Sequence, residues 1–274
     1  MNSCFLGVDA SLTGRRWVGP DADADRQAER LAQETGLPAP VCRILATRGV
    51  ASGEAKAYLA PTLRDLLPDP RGLIDMERAA ERFAKAAAQG ERIAVFADYD
   101  VDGGASAALL LTWLRGIGRQ ATLYVPDRIE EGYGPNPQAM TALAAEHDLI
   151  VCVDCGTLSH EAIAAARTAD VLVIDHHMGG ETLPPALAVV NPNRQDEDGT
   201  LGHLCAAAVV FLLLVEVGRQ RREAGQSSPD LLSLLDLVAL ATVADVAPLT
   251  GVNRAFVRRG LEVMARRARP GLVA

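Results

Sequence analysis

Acids and paired imidazoles recur at the ends of apolar runs in this chain: Asp98, Asp100 and Asp102 in FADYDVDGG, Asp154 in VCVDCG, Asp175-His176-His177 in VLVIDHH, and Asp245 in TVADV. Carboxylates that converge without lysines to neutralise them repel one another, and a folded chain tolerates such a cluster mainly by holding divalent cations there. The only lysines are Lys56 and Lys85. A mixed Asp-rich and His set favours Mn²⁺ or Mg²⁺ over zinc. The acids suffice for two adjacent cations with one carboxylate bridging. Such a pair lowers the pKa of a bound water, orients it in line and neutralises a phosphoryl group as the leaving oxygen departs. The chemistry predicted is phosphoester or phosphoanhydride hydrolysis.

Each motif also has a plainer reading. In DYDVDGG the spacing of two would point all three acids to one side of an extended backbone. Gly103 and Gly104 then allow a tight turn into a helix beginning near Ser106, whose N-terminal amides could face phosphate. The alternative is an acidic loop or a calcium loop, although the Glu that should close a twelve-residue calcium loop is missing. Asp154 alone could be a helix cap or turn acceptor. Cys152 and Cys155 form a CxxC around it, but Cys152 sits inside the strand and no second pair completes a zinc site. In Asp175-His176-His177, one imidazole can ligate metal while the next turns toward substrate, with Asp175 as orienting partner. Asp245 would be a costly core charge unless it binds metal or an Arg. His147, His160 and His203 are isolated and read as surface or capping residues.

Strands and helices must bring these residues together. From Arg92, IAVFAD, QATLYVPD, LIVCVD, VLVID and ALAVVNP read as strands. Between the first four lie helical segments at about Ala105–Ile117, Pro137–Glu146 and His160–Thr168. The alternation predicts an α/β fold with a parallel, Rossmann-like sheet and flanking helices. Asp98, Asp154 and Asp175 then fall at carboxyl ends of parallel strands, where open α/β sheets build their sites. From His203 on the pattern is helical. Residues 1–85, with a Pro-rich middle and short helical stretches, are predicted to form a small helical N-terminal arm, with a helix from Met76 to Gln89 leading into the main domain.

With 49% hydrophobic and 23% charged residues in 274, the chain is globular rather than disordered. Its net charge of -8 would argue against a nucleic-acid partner, but several acids lie in the proposed metal cluster. Arginines gather late, from Arg219 to Arg269, and read most simply as solvated helix faces. Five cysteines, without the density of a secreted disulfide scaffold, point to a reducing cytoplasm. No apolar run is long enough for a bilayer, so no membrane partner is expected.

Taken together, GERIAVFADYDVDGGAS, YVPDRIEEGYG, VDCGT, VIDHH, VVNPNR, LCAAAVVF and ALATVADVAPL, with LAPTLRDLLPDP in the arm, resemble the DHH phosphoesterase family. The likeness is closest to its bacterial branch of single-stranded-DNA-specific 5′ to 3′ exonucleases of DNA repair and recombination. The resemblance implies that Asp100, Asp102, Asp154, His176 and Asp245 ligate two Mn²⁺ or Mg²⁺ ions, with Asp154 the bridge. It makes Asp98 and Asp175 supporting catalytic residues and puts His177 on the scissile phosphate. Arg128, in PDRIEEGYG, is a candidate for holding a substrate phosphate; the alternative is a surface Arg paired with Glu130 or Glu131. Ala208 stands where the family commonly has Gly.

The partners implied are single-stranded DNA and, in the pathway, a helicase or single-strand-binding protein. Family members continue into a DHH-associated domain and an OB-type domain, so residues 86–250 are expected to be the catalytic domain and 251–274 the start of a truncated connecting helix. Two other functions stay open: a DHH phosphatase or oligonucleotidase on small phosphate substrates, and a catalytically silent fragment that binds metal.

Overall fold

The computed structural model describes residues 4–19 and 22–274. It divides into two units, Met1–Pro61 and Thr62–Ala274. In the first, α1 (Ala22–Thr35), α2 (Ala39–Thr47) and α3 (Ala55–Leu59) enclose a small core of Leu31, Cys42, Leu45, Val50 and Ala55.

The second unit runs α4 (Leu63–Leu66), α5 (Met76–Gln89), β1 (Ile93–Ala97), α6 (Val101–Gly116), β2 (Thr122–Tyr124), α7 (Pro137–Glu146), β3 (Leu149–Val153), α8 (His160–Ala165), β4 (Asp170–Ile174) and β5 (Ala188–Val190). It continues helical through α9 (Ala206–Glu223), α10 (Leu235–Ala244), α11 (Gly251–Met264) and α12 (Pro270–Val273). All five strands are parallel, in the order β2-β1-β3-β4-β5. The predicted α/β architecture is therefore what forms.

The period-two alternation of strands sorts side chains onto two faces. Val95, Val151, Val153, Leu172 and Ile174 join α5, α6, α9, α10 and α11 in the larger core. Phe96, Ile150, Cys152 and Val173 join α7 and α8 in the smaller one. Each fully buried Val, Leu, Ile or Phe contributes about 1.5–3 kcal/mol, so these two layers hold the sheet rigid. Register does the rest. Ala97 pairs with Val153, Val153 with Ile174, and Ile174 with Val190. The next residues, Asp98, Asp154, Asp175 and Asn191, thus stand in one row at the carboxyl edge. Strand order reverses between β1 and β3, the position at which open α/β sheets leave a crevice.

One boundary differs from the sequence reading. The small unit ends at Pro61, not at residue 85, because Leu73, Met76, Ala79, Ala80 and Phe83 bury into the larger core. Residues 251–264 form a helix that packs within the second unit. Val252, Phe256 and Val263 are buried in the same core, and Phe256 meets Phe211 edge to face with ring centroids 5.4 Å apart. No helix among the described residues is long and apolar enough to cross a membrane.

α10 and α11 approach so closely that a Cβ on Gly260 would stand 2.3 Å from Ala239 Cβ and 2.3 Å from Leu235 O. Gly260→Ala sets a helix-propensity gain of about 1 kcal/mol against overpacking of about 1–3 kcal/mol. We expect net destabilisation in urea unfolding; an unchanged or higher midpoint would show that the two helices can separate cheaply.

Candidate metal centre

The row of strand ends sets the positions, and the following turns set the directions. Asp98 is 3% exposed, and its N–H donates to Val153 O at 3.3 Å. The chain then turns at once: Asp100 is the N-cap of α6, its Oδ1 accepting the Gly103 N–H at 3.0 Å. The helix thus begins at Val101, ahead of the expected Ala105, and Asp102 lies in its first turn rather than in extended backbone. Gly103 is needed for close approach, since a Cβ there would lie 2.4 Å from Asp98 O, whereas one on Gly104 would meet nothing within 4 Å. Asp102 is 1% exposed. Its two oxygens accept the Ala206 and Ala207 N–H groups at 2.6 and 2.8 Å, so the N-terminus of α9 holds this carboxylate in place.

Asp154 follows β3 in a left-handed backbone conformation, φ +60°, rare for a residue with a side chain. Such strain persists only where the surroundings enforce it. Here the Tyr133 hydroxyl donates to Asp154 O at 3.1 Å, and the Asp154 N–H donates to Ile174 O at 3.0 Å. Asp175 is encircled by donors: its Oδ1 accepts from the His176 and His177 N–H groups and from His177 Nδ1, at 2.8, 3.2 and 2.8 Å, and its Oδ2 accepts from the Thr157 N–H at 3.1 Å. Asp245, which would have been a costly core charge unless it bound metal or an Arg, is exposed: it caps α10, with Oδ2 3.9 Å from His176 Nδ1.

Among the described residues three sets of donor atoms result, the atoms of each set within 4.8 Å of one another: Asp98, Asp100 and Asp154; Asp154, His176 and His177; Asp102, His176 and Asp245. Every residue expected to ligate metal is in one of them. So are Asp98 and His177, which the sequence reading put in other roles, whereas Asp175 is in none.

Electrostatics fit a cation. Asp98 Oδ1 and Asp154 Oδ1 are buried acceptors with no hydrogen-bond partner. Asp154 Oδ1 lies 3.3 Å from His176 Nε2 but without hydrogen-bond geometry, so the contact is a charge attraction. Burial raises the carboxyl pKa of Asp102 to about 6 and that of Asp154 to about 8, and it raises that of Asp98 as well. Burial opposes charge on His176, yet Asp154, Asp102 and Asp245 outweigh it and raise the imidazole to about 9. Burial also opposes charge on Asp175, but hydrogen bonds from His177 and Thr157 hold it down at about 2. Asp175 is a built anion, while Asp98, Asp102 and Asp154 would be settled as anions by added positive charge. Hard, oxygen-rich donors with one or two imidazoles suit Mn²⁺ or Mg²⁺.

The other expectations separate. Arg128 pairs with neither Glu130 nor Glu131; its guanidinium lies over the Tyr99 ring, 5.4 Å from the centroid, beside the DYD turn. Glu131 is engaged by the Tyr124 hydroxyl, the Asp127 N–H and Asn136. Ser106 does not open the helix. It is fully buried in the second turn of α6, so the expected contact with substrate is corrected. Cys152 and Cys155 are fully buried, and burial raises both thiols, against redox or metal use. His147 is a buried cap of α7, bonded to Leu143 O and Thr122 Oγ1.

Sequence reasoning gave no role to Tyr133, whose hydroxyl is 3.2 Å from His177 Nδ1, nor to Asn191 and Asn193. The signal for Tyr133 was its place between Gly132 and Gly134, both at positive φ, in a turn that fixes where the ring points.

The family model described as "DHH family, N-terminal domain" matches residues 92–242. The single-stranded-DNA-specific exonuclease RecJ of Dickeya dadantii is 41% identical over 249 residues, covering 87% of this chain and 42% of that protein. RecJ of Escherichia coli is 38% identical, covering 93% of this chain and 44% of its own length. The chain thus spans less than half the length of these curated relatives. Among solved structures, exonuclease RecJ bound to manganese matches 73% of this chain and 50% of its own at 37% identity, with a TM-score of 0.65. RecJ from Thermus thermophilus in complex with Mn²⁺ matches 90% of this chain and 34% of its own at 31% identity, with a TM-score of 0.72.

Because Asp154 and His176 carry pKa values raised to about 8 and about 9, protonation of these groups stabilises the fold, and that stability is lost as pH rises through these values. The melting temperature of chelator-treated protein is expected to fall between about pH 7 and about pH 9, and Mn²⁺ to abolish the fall. A flat or rising apo profile over that window would contradict the assignment.

Proposed function

Since this chain belongs to the DHH family, we propose that it is the metal-binding catalytic portion of an exonuclease that hydrolyses phosphodiester bonds of single-stranded DNA, in the 5′ to 3′ direction. The observation that carries the reading is the meeting of three donor sets on Asp154 and His176, at the crevice between β1 and β3 and beside the ends of α9 and α10. Asp98, Asp100, Asp102, Asp154, His176 and Asp245 would hold two Mn²⁺ or Mg²⁺ ions, with Asp154 shared. When bound, such ions acidify a water and neutralise phosphoryl charge.

The chain's own residues do the positioning. The N-terminus of α9 fixes Asp102, and the strained turn at Asp154 aims its carboxylate into the crevice. Asp175 takes the His177 Nδ1 proton into a 2.8 Å hydrogen bond, and the Tyr133 hydroxyl lies 3.3 Å from Nε2, so a phosphate oxygen would meet the ring beside Tyr133. His177 is half exposed and able to meet substrate directly. Arg128, held over Tyr99 beside the acids, supplies the positive charge for a neighbouring phosphate of the strand. A guanidinium is needed there, since the chain carries a net charge of -8.

A single strand is supplied in the cell by unwinding, so a helicase or a single-strand-binding protein is the partner class this reading requires. The five free cysteines suit a cytoplasmic location.

The test is digestion of end-labelled single-stranded and duplex oligonucleotides with Mn²⁺. We expect single strands to be shortened from the 5′ end. Asp100→Ala should abolish turnover, and Arg128→Ala should raise KM about tenfold, the loss of one charge-assisted phosphate contact. Hydrolysis of small phosphates alone, or Mn²⁺ binding with no turnover on any substrate, would overturn the exonuclease reading.

A further inference from the structure

We propose that Asn191 and Asn193, in the turn after β5, form an amide clamp that orients the two histidines of the metal centre, with Asn193 the positioning residue for His176 and Asn191 that for His177. This inference rests on the function proposed above.

Asn191 is the fourth member of the strand-end row, standing beside Asp175 in register and 0% exposed. Asparagine is neutral, so it adds no charge to an edge already crowded with carboxylates. Its side-chain amide makes three hydrogen bonds. Nδ2 donates to His177 O and to Thr157 Oγ1, both at 2.8 Å, and Oδ1 accepts the Asn193 N–H at 2.8 Å. Thr157 in turn donates its N–H to Asp175 Oδ2, the carboxylate that holds the His177 ring. Asn191 therefore fixes His177 twice, through its main-chain carbonyl and through Asp175.

Asn193 does the corresponding work one residue earlier. Its Nδ2 donates to His176 O at 2.5 Å and to Gly202 O at 3.1 Å. Gly202 is small for a reason: a Cβ there would stand 2.5 Å from Asn193 Oδ1. No regular element fixes the His176-His177 peptides, because they follow the end of β4 and the next element is β5. Two peptides left free to rotate would swing both imidazoles, and His176 is common to two of the three donor sets. Partners of this kind, one step removed from the metal, typically account for about 10- to 100-fold in metal affinity or activity.

Isothermal titration of the chelator-treated protein with Mn²⁺, beside thermal melting, tests the clamp. Asn193→Ala should weaken Mn²⁺ binding by about 10- to 100-fold in protein that is folded by circular dichroism. Gly202→Ala, at a half-buried position and at a φ open to any residue, should weaken it in the same direction by crowding Asn193 Oδ1. A control, Leu45→Ala in the core of the first unit, lowers stability and should leave Mn²⁺ affinity unchanged. Mn²⁺ affinity equal to the unaltered protein's in folded Asn193→Ala or Gly202→Ala overturns the proposal, as does an equal loss in the control. If the unaltered protein itself binds no Mn²⁺, the proposed function fails instead.

Discussion

The burial of carboxylates with too few donors around them is the constraint around which this molecule is arranged. Asp98 and Asp154 end neighbouring strands, Asp102 is almost fully buried nearby, and one oxygen each of Asp98 and Asp154 finds no donor. No chain would gather such groups for stability alone, since a buried unpaired charge costs several kcal/mol. The fold meets that cost with rigidity. Two apolar layers lock the sheet, the register lines up the strand ends, and α9 commits its first amides to Asp102. Every other feature of the site, from the early start of α6 to the left-handed turn at Asp154, serves to keep the acids close without letting them relax apart.

The division between acids is physical as well as positional. Asp175 and Asp154 are neighbours in the same row, both almost wholly buried, yet their carboxyl groups titrate on opposite sides of the ordinary range. The difference is donors: Asp175 accepts four N–H groups, while Asp154 has one oxygen with none. One is finished as an anion by the protein, and the other is left for something else to complete.

How much was legible in the sequence follows from which signals are local. The strands and the helices Met76–Gln89 and Pro137–Glu146 were readable because apolar period, Pro and Gly all act within a few residues. The acids were readable because an Asp directly after an apolar run has few other uses. What failed was non-local. The start of α6 was misplaced because two glycines look like a turn, and only the approach of Gly103 to Asp98 shows that one of them is a packing residue inside a helix. Asp245 looked buried because its neighbours are apolar, yet Val243 and Val246 are exposed with it. Asn191 lay in the quoted VVNPNR but was given no role, because neither its type nor its spacing suggests chemistry; its meaning lies in the register with Asp175. The domain boundary at residue 85 missed for the same reason, since only tertiary packing assigns α5 to the sheet.

The three donor sets share corners: Asp154 belongs to two of them and His176 to two, so the middle set links the outer ones. A charge gained or lost at either corner is therefore felt by all three. On the proposed function, protons, cations and a phosphate entering this crevice would share one linked equilibrium, in which each arrival changes the affinity for the next and is changed by it in equal measure.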